Sequence, residues 1–317
     1  MDRSVVFMFS GQGSQYYGMG KELYMSNPVF RTWMTRLDEI HMDVTGRSVL
    51  KTLYDDTRRR GEEFDNLLYT HPAIFMVEYA LTQVLLVKGI YPDYVLGSSL
   101  GESVSVAVAD CMSYEDTLQC IIKQAQLVET YCPKGGMMAV IGDPGLYDEV
   151  PILNTNSELA SINFDSHFVI SGSCEGLSEI EHYLKANEMI CQRLPVHYAF
   201  HASLMDPIAL EYTEFLKLMT IRSPKINMVS SMYGGKTTWL DNRFLWDVTR
   251  KPMQFQSALK CLGDRDGVVY IDLGPSGTLA NFVQYNFGPK KKASVCSILS
   301  PFQQDIKNLD RLFEIFA

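Results

Sequence analysis

The chain has 317 residues, of which 46% are hydrophobic and 21% are charged, and its formal net charge is -9. This composition is typical of a globular protein with a large core and excludes a disordered or fibrous chain. The acidic balance argues against a nucleic-acid binder, because such a protein needs a basic surface that attracts phosphates. At roughly 150 residues per domain, the length predicts about two folding units.

The first 110 residues alternate predicted strands and helices. A buried strand at 5–9 ends at the turn Gly11-Gln12-Gly13. The most apolar stretch, residues 73–90, contains Glu78 and Lys88 and follows the turn-like pair His71-Pro72. It predicts a buried helix over 72–88 and not a membrane span. A strand at 94–96 and a helix at 100–109 follow.

From about residue 135 the pattern changes to short strands. Strands at 137–141, 159–162 and 168–171, a helix at 177–186 and a last strand at 191–196 predict a compact βαββ-like unit. We place this unit at residues 130–197, inserted into a larger unit formed by residues 1–129 and 198–317.

The C-terminal third returns to α/β character. It contains a predicted helix after Asp206, another at 255–262, and a strand at 267–273. The alternation over most of the chain predicts an α/β fold with a mostly parallel sheet covered by helices on both faces.

Seven cysteines form no CxxC pair, and no apolar signal segment opens the chain. These features predict reduced thiols and a cytoplasmic protein with no membrane partner.

The strongest chemical signal is the sequence GSSLG at residues 97–101, between a predicted strand and a predicted helix. This pattern indicates a sharp corner that exposes Ser99 as a nucleophile and requires the neighbouring glycines. The following helix directs its free N–H groups at the same point, so the Leu100 N–H is a candidate oxyanion donor.

A serine nucleophile needs an adjacent base, and histidine is the usual one. Of the six histidines, four have no supporting context: His41, His71, His167 and His182. His201 lies directly after the predicted small unit and His197 is the last residue of that unit, and the pattern alone does not choose between them.

Four segments carry a family resemblance: FSGQGSQ at 9–15, GSSLGE at 97–102, YAFHASLM at 198–205 and DLGP at 272–275. On these motifs the chain resembles, over nearly its whole length, the malonyl-CoA:acyl-carrier-protein transacylases and the acyltransferases of polyketide and fatty-acid synthases.

The resemblance implies Ser99 as nucleophile and His201 as base, with the Gln12 N–H completing the oxyanion hole beside Leu100. It implies a backbone carbonyl near Lys251-Pro252 that orients the histidine. It further implies an α/β-hydrolase-like large subdomain and a ferredoxin-like small one. The expected partner is an acyl carrier protein. The acyl group arrives on its phosphopantetheine or on coenzyme A, so no other cofactor and no metal are expected.

Departures from the family pattern bear on the acyl group. Ser98 replaces the histidine of the common GHSxG motif, which predicts a wider pocket. Gln124 aligns with the arginine by which malonyl-using members bind the free carboxylate. Burying that carboxylate without its cation costs about 3–5 kcal/mol, on the order of a hundredfold or more in binding. Tyr198 and Phe200 are further predicted pocket residues, but their motif mixes malonyl and methylmalonyl features and does not decide the acyl group.

Without the arginine, the chain looks more like the trans-acting acyl hydrolases that remove stalled monocarboxylic acyl chains from carrier proteins in polyketide pathways. Transfer of a monocarboxylic or malonyl unit is the alternative, because both reactions share an acyl-Ser99 intermediate.

A non-catalytic carrier-binding homologue is disfavoured by the presence of both Ser99 and His201. A metal hydrolase is disfavoured, because no pair of histidine or carboxylate ligands appears at a helical spacing such as HExxH. Tyr16 stands where a dinucleotide-binding motif needs its third glycine.

Overall fold

The computed structural model describes residues 3–317, and within this range the strands form one six-stranded and one four-stranded sheet. The strands are β1 (Ser4–Phe9), β2 (Tyr94–Gly97), β3 (Gly135–Ile141), β4 (Glu158–Phe164), β5 (His167–Ser173), β6 (Ile190–Arg193), β7 (Asn227–Ser230), β8 (Gly235–Thr237), β9 (Val268–Asp272) and β10 (Ser294–Ser297). The α-helices are α1 (Lys21–Ser26), α2 (Pro28–Thr45), α3 (Val49–Leu53), α4 (Leu67–Val87), α5 (Gly101–Val108), α6 (Tyr114–Tyr131), α7 (Leu146–Glu149), α8 (Pro151–Asn156), α9 (Cys174–Ala186), α10 (Ala209–Leu216), α11 (Phe244–Arg250), α12 (Phe255–Leu262), α13 (Thr278–Phe287) and α14 (Asp305–Phe316). A 3-10 helix spans Ser203–Ile208.

The large sheet has the order β10-β9-β1-β2-β7-β8. Its neighbouring strands are parallel except for the β7–β8 pair. Along β1, Phe7 and Phe9 join the core on one face, whereas Val6 and Met8 join the core on the other. Because successive side chains point to opposite faces, a strand that is apolar throughout is buried on both sides. The predicted α/β fold with a mostly parallel sheet covered on both faces is confirmed.

The small sheet is antiparallel with the order β4-β5-β3-β6. Its elements run β3, α7, α8, β4, β5, α9 and β6, which is the βαββαβ arrangement of a ferredoxin-like unit. All four strands lie within the predicted segment 130–197. The sequence pattern missed α7 and α8, because helices of four and six residues are too short to show a helical period.

Helix α4 begins five positions before the predicted start at Pro72, with Asn66 as its N-cap. A proline inside a helix leaves the carbonyl four residues earlier without its donor. Here that carbonyl belongs to Leu68, and the buried ring of His41 donates to it from Nε2 at 2.9 Å. This long-range hydrogen bond lets the helix continue through the His71-Pro72 pair that the sequence suggested was a turn.

By length and composition α4 is apolar enough to cross a membrane, but 83% of its most apolar window is buried inside the protein. It packs mainly against α2 and α6. Burial within the protein explains its apolar character, as the sequence predicted.

The remaining predictions agree with the structure to within a few residues. Helix α12 has the predicted bounds, and β9 is one residue shorter at each end than predicted. The predicted helix after Asp206 is α10, preceded by the 3-10 helix that contains Pro207. All seven cysteines are free thiols.

Candidate active site

Ser99 occupies the corner between β2 and α5, with a left-handed φ of 55°. A Cβ added at Gly97 would lie 2.5 Å from the Glu102 backbone nitrogen. A Cβ at Gly101 would lie 2.0 Å from the Phe9 carbonyl oxygen. Neither site has room for a side chain, so both positions require glycine. The GSSLG sequence therefore builds the predicted strand-to-helix corner with Ser99 at its apex.

The structure brings Ser99 and His201 together across 102 positions of the chain. His201 has a φ of 63°, and its Nδ1 lies 2.9 Å from the backbone oxygen of Lys251. A carbonyl only accepts, so Nδ1 carries the proton and Nε2 presents its lone pair. The Ser99 hydroxyl donates to that lone pair at 2.8 Å. This is the arrangement that a serine nucleophile and its base require.

The His201 ring is buried with only 2% of the residue exposed. Burial lowers the pKa of His201 to about 4, against the smaller opposing effect of hydrogen bonds to the backbone at Lys251 and Val248. The imidazole is therefore neutral at pH 7 and free to accept a proton from Ser99.

Two backbone donors point to an oxyanion site at this corner. Within residues 3–317, the N–H groups of Gln12 and Leu100 make no backbone hydrogen bond, and both residues line the same cavity as Ser99. The loop that carries Gln12 passes so close that a Cβ on Gly11 would lie 2.8 Å from the Ser99 Cβ. Free N–H groups beside a nucleophile are what stabilises an oxyanion.

Buried carboxyl groups support this corner, and sequence analysis gave them no role. Glu78 on α4 accepts from both the backbone N–H and the hydroxyl of Ser10, at 2.8 and 2.9 Å, and so anchors the Gln12 loop. Glu102 on α5 accepts from Ser230 at 2.8 Å. Burial raises the pKa of Glu78 well above its ordinary value and that of Glu102 to about 7. Neither lines the cavity, so both act as supports.

The cavity beside Ser99 has a volume of about 330 Å³ and lies between the two sheets. The large subdomain contributes Ser98, Ser99 and Phe200, and the small sheet contributes residues such as Met137 and Val169. Its lining, within residues 3–317, contains no lysine, arginine, aspartate or glutamate. The cavity is therefore a neutral, mostly apolar site.

Gln124 lies where the alignment predicts, on the cavity wall, and only 8% of the residue is exposed. Its amide Nε2 donates to the hydroxyl of Thr249 on α11. The hydroxyl of Thr249 in turn donates to the backbone oxygen of Leu245 at 2.8 Å. This part of the cavity wall is thus occupied by a neutral hydrogen-bonded pair.

Tyr198 is the predicted pocket residue that the structure places elsewhere. It is buried but does not line the cavity, and its hydroxyl accepts from Lys134 Nζ at 2.9 Å. The segment between β6 and the 3-10 helix is irregular. Side chains in such a segment do not alternate regularly between two faces. Phe200 therefore lines the cavity while Tyr198, two residues earlier, does not.

His71 and His167, which had no supporting context in the sequence, both line the cavity. His71 Nε2 lies 3.1 Å from the side-chain oxygen of Gln12. Burial lowers the pKa of His71 to about 4, with a smaller opposing effect of Gln124. No local pattern marks either histidine, because long-range packing alone brings them to the site.

His197, the other candidate base, lies outside the cavity. Its Nε2 is 2.8 Å from Glu63 Oε1 and 3.0 Å from Asp65 Oδ2. This partly exposed trio has its potential ligand atoms within 4.8 Å of one another, close enough to hold a metal ion. The sequence did not predict it, because the ligands come from segments far apart in the chain.

Residues 6–317 match the family model described as an acyl transferase domain. The chain belongs to this acyltransferase family. Polyketide biosynthesis acyltransferase homolog PksD of Bacillus subtilis (strain 168) is 47% identical over 310 residues, which cover 98% of this chain and 96% of that protein. BaeD of Bacillus velezensis, with the same description, is 45% identical over 312 residues, covering 98% and 96% of the two chains.

A solved structure of the acyltransferase domain from the second module of the salinomycin polyketide synthase is similar over 100% of this chain and 74% of that chain. Its TM-score is 0.88 at 27% identity. The family assignment confirms the resemblance seen in the four sequence motifs.

Proposed function

We propose that this chain is a serine-dependent hydrolase that removes monocarboxylic acyl groups from acyl carrier proteins in polyketide biosynthesis. The observation that carries this proposal is the neutral cavity wall, where Gln124 bonds to Thr249 and where, among residues 3–317, no lysine or arginine lines the cavity. The names of the relatives support the polyketide context.

In the proposed reaction, the Ser99 oxygen attacks the thioester carbonyl carbon while His201 Nε2 takes the hydroxyl proton. The backbone N–H groups of Gln12 and Leu100 stabilise the oxyanion. Collapse breaks the carbon–sulfur bond, and the imidazolium returns the proton to the leaving pantetheine sulfur. The products of this half-reaction are an acyl-Ser99 ester and the free carrier thiol.

Water then replaces the thiol as second nucleophile. His201 takes a proton from the water as its oxygen attacks the ester carbonyl, and it returns a proton to the Ser99 oxygen as the ester bond breaks. The free carboxylic acid leaves. The Lys251 carbonyl keeps Nδ1 protonated and the ring oriented through both halves of the cycle. The residues of this cycle need no cofactor, because the substrate brings its own phosphopantetheine.

The acyl preference follows from charge. A malonyl carboxylate placed beside Gln124 meets no lysine or arginine in the part of the cavity wall that the structure describes. Burying it without a cation costs about 3–5 kcal/mol, on the order of a hundredfold or more in binding. An uncharged acyl chain instead removes apolar surface from water against side chains such as Met137, Val169 and Phe200.

Transfer of an acyl or malonyl unit between coenzyme A and a carrier protein is the second candidate. Membership of the acyltransferase family favours it, and it uses the same acyl-Ser99 ester with a thiol in place of water. A non-catalytic carrier-binding role is the least supported, because the Ser99–His201 hydrogen bond is intact. For all three we propose an acyl carrier protein as the partner and the cytoplasm as the location.

The deciding experiment incubates the protein with acetyl-, butyryl- and malonyl-loaded carrier protein and follows carrier and enzyme by intact mass spectrometry. We expect free acid from the two monocarboxylic carriers and an unchanged malonyl carrier. Rapid loading of malonyl from malonyl-CoA onto a free carrier would refute the hydrolase and favour the transferase.

The variant Gln124→Arg tests the acyl preference directly. It supplies the missing cation, so malonyl acylation of Ser99 should rise by about a hundredfold. Gln126→Arg is the matched control, because it adds the same charge to α6 at a residue that does not line the cavity. Equal malonyl acylation of the two variants would contradict our placement of the acyl carboxylate beside Gln124.

A further inference from the structure

His201, the base of the proposed reaction, is held by a short segment at the end of α11. The backbone N–H of His201 donates to the carbonyl of Thr249 at 2.9 Å, and the ring Nδ1 of His201 donates to the carbonyl of Lys251 at 2.9 Å. His201 sits at a left-handed φ of 63°, which a non-glycine residue adopts at a cost in energy. The orientation of its ring therefore depends on where residues 249–251 lie.

Arg250, between those two carbonyls, ties the segment to two other parts of the chain. Its Nε donates to Asp206 Oδ1 at 2.7 Å, and its Nη1 donates to Glu158 Oε2 at 3.0 Å. Asp206 lies in the 3-10 helix shortly after His201, and Glu158 begins β4 of the small sheet. The guanidinium thus bridges the base's own segment and the small sheet.

The second carboxylate oxygen of Glu158 contacts the segment that follows His201. Its Oε1 accepts from the backbone N–H of Ser203 at 2.6 Å, two residues after His201. One carboxylate therefore contacts both the segment that carries the base and the arginine beside the base's carbonyl partner. Charge-assisted, forked contacts of this kind restrict geometry as well as adding energy.

A second connection follows on the other side of Lys251. The backbone N–H of Met253 donates to Ala160 at 2.8 Å, and the N–H of Ile162 donates to Met253 at 2.9 Å. The segment 250–253 is therefore anchored to β4 at both ends, with the Lys251 carbonyl between the anchors.

We propose that Arg250 and Glu158 are positioning residues that set the orientation of His201 through the Lys251 carbonyl and couple the small sheet to proton transfer. Neither side chain lines the cavity, so neither contacts the acyl group. The inference rests on the proposed function, because it assumes that His201 moves the proton. A misplacement of about 1 Å at such a distance from the chemistry costs up to about a hundredfold in rate.

The test measures kcat and KM for release of butyrate from a butyryl carrier protein. We expect Arg250→Met to lower kcat by about tenfold or more while KM stays within about twofold, since the loss falls on the chemical step and not on binding. Arg250→Lys keeps the positive charge but not the planar guanidinium that contacts both carboxylates. Its kcat should therefore lie between those of the wild type and Arg250→Met.

Arg193→Met is the matched control. Arg193 is 32% exposed against 27% for Arg250, and it pairs with Glu181 on the small sheet's own helix at 3.1 Å. It should retain wild-type kcat. Arg250→Met with a kcat within twofold of Arg193→Met, while Ser99→Ala is inactive, would overturn the positioning role and leave the proposed function standing. An active Ser99→Ala variant would instead overturn the proposed function.

Glu158→Gln provides a second variant in case Arg250→Met does not fold. It keeps the shape of the side chain and removes the charge, so kcat should fall in the same direction by a smaller factor, with KM unchanged. Wild-type kcat in a folded Glu158→Gln protein would contradict the proposal.

Discussion

Ser99 and His201 face each other with the same unusual backbone conformation, at φ 55° and 63°, but different parts of the molecule hold them there. The corner at Ser99 is enforced by its immediate neighbours, because a Cβ at Gly97 would collide with the backbone of Glu102. The conformation of His201 is held by carbonyl groups of residues 249 and 251, far along the chain. One half of the pair is thus a local structure and the other a tertiary one.

The two halves should therefore be sensitive to different substitutions. A local corner fails when a single neighbouring residue is changed, whereas a tertiary contact made through backbone atoms tolerates side-chain changes at the contact itself.

The largest effect is expected for Ser99→Ala. Removing the nucleophile of a serine enzyme costs about 10⁴-fold or more in kcat. Release of acetate from an acetyl carrier should fall by at least about this factor, and intact mass spectrometry should show no acyl-enzyme. Detection of an acyl adduct on the variant would place the nucleophile elsewhere.

Gly97→Ala should break the local half of the pair. Its Cβ would lie 2.5 Å from the backbone nitrogen of Glu102, which cannot move without disturbing the first turn of α5. We expect a loss of about 1–3 kcal/mol in the free energy of unfolding and of about a hundredfold in acylation rate. Gly235→Ala is the control, because no atom lies within 4 Å of its added Cβ. Equal stability of the two variants would argue against the crowded corner.

The pH profile tests the tertiary half. The proposed mechanism requires neutral His201, and burial lowers the pKa of this group to about 4, so protonation should inactivate the base only near that pH. The value of kcat/KM should stay level down to about pH 5, where a histidine of ordinary pKa 6.5 would be about 30-fold less active. An acidic limb centred near pH 6.5, measured with a small acyl thioester, would contradict the buried, neutral ring.

The smallest effect is expected for Lys251→Ala. The backbone oxygen of this residue accepts the hydrogen bond from His201, whereas its half-exposed side-chain amine pairs with Asp247 at 2.8 Å. Exposed pairs of this type contribute about 0–1 kcal/mol. Steady-state kcat should therefore change by no more than about threefold. A drop as large as that expected for Arg250→Met would show that the Lys251 side chain takes part in holding the ring.

The cavity wall that contains Gln124 shows how far local reasoning extends. Gln124 was predicted on it by alignment and lies there, whereas Tyr198 was predicted on it and bonds to Lys134 instead. His71, to which the sequence pattern gives no catalytic context, lies in α4 and lines the cavity. A position on a regular helix inherits a direction from its period, whereas a position in an irregular segment does not.

Periodicity, glycine spacing and motif order in the sequence determined the alternating strands and helices, the inserted small sheet and the corner at Ser99. Each of these depends on neighbours within a few residues, where steric exclusion and side-chain period act directly. Only the tertiary structure showed that His41 lets α4 continue through Pro72 and that Arg250 links the His201 segment to β4. It also brings His201 to Ser99, a choice over His197 that the family resemblance implied and the local pattern left open. Those contacts join segments whose separation along the chain carries no information about their distance in space.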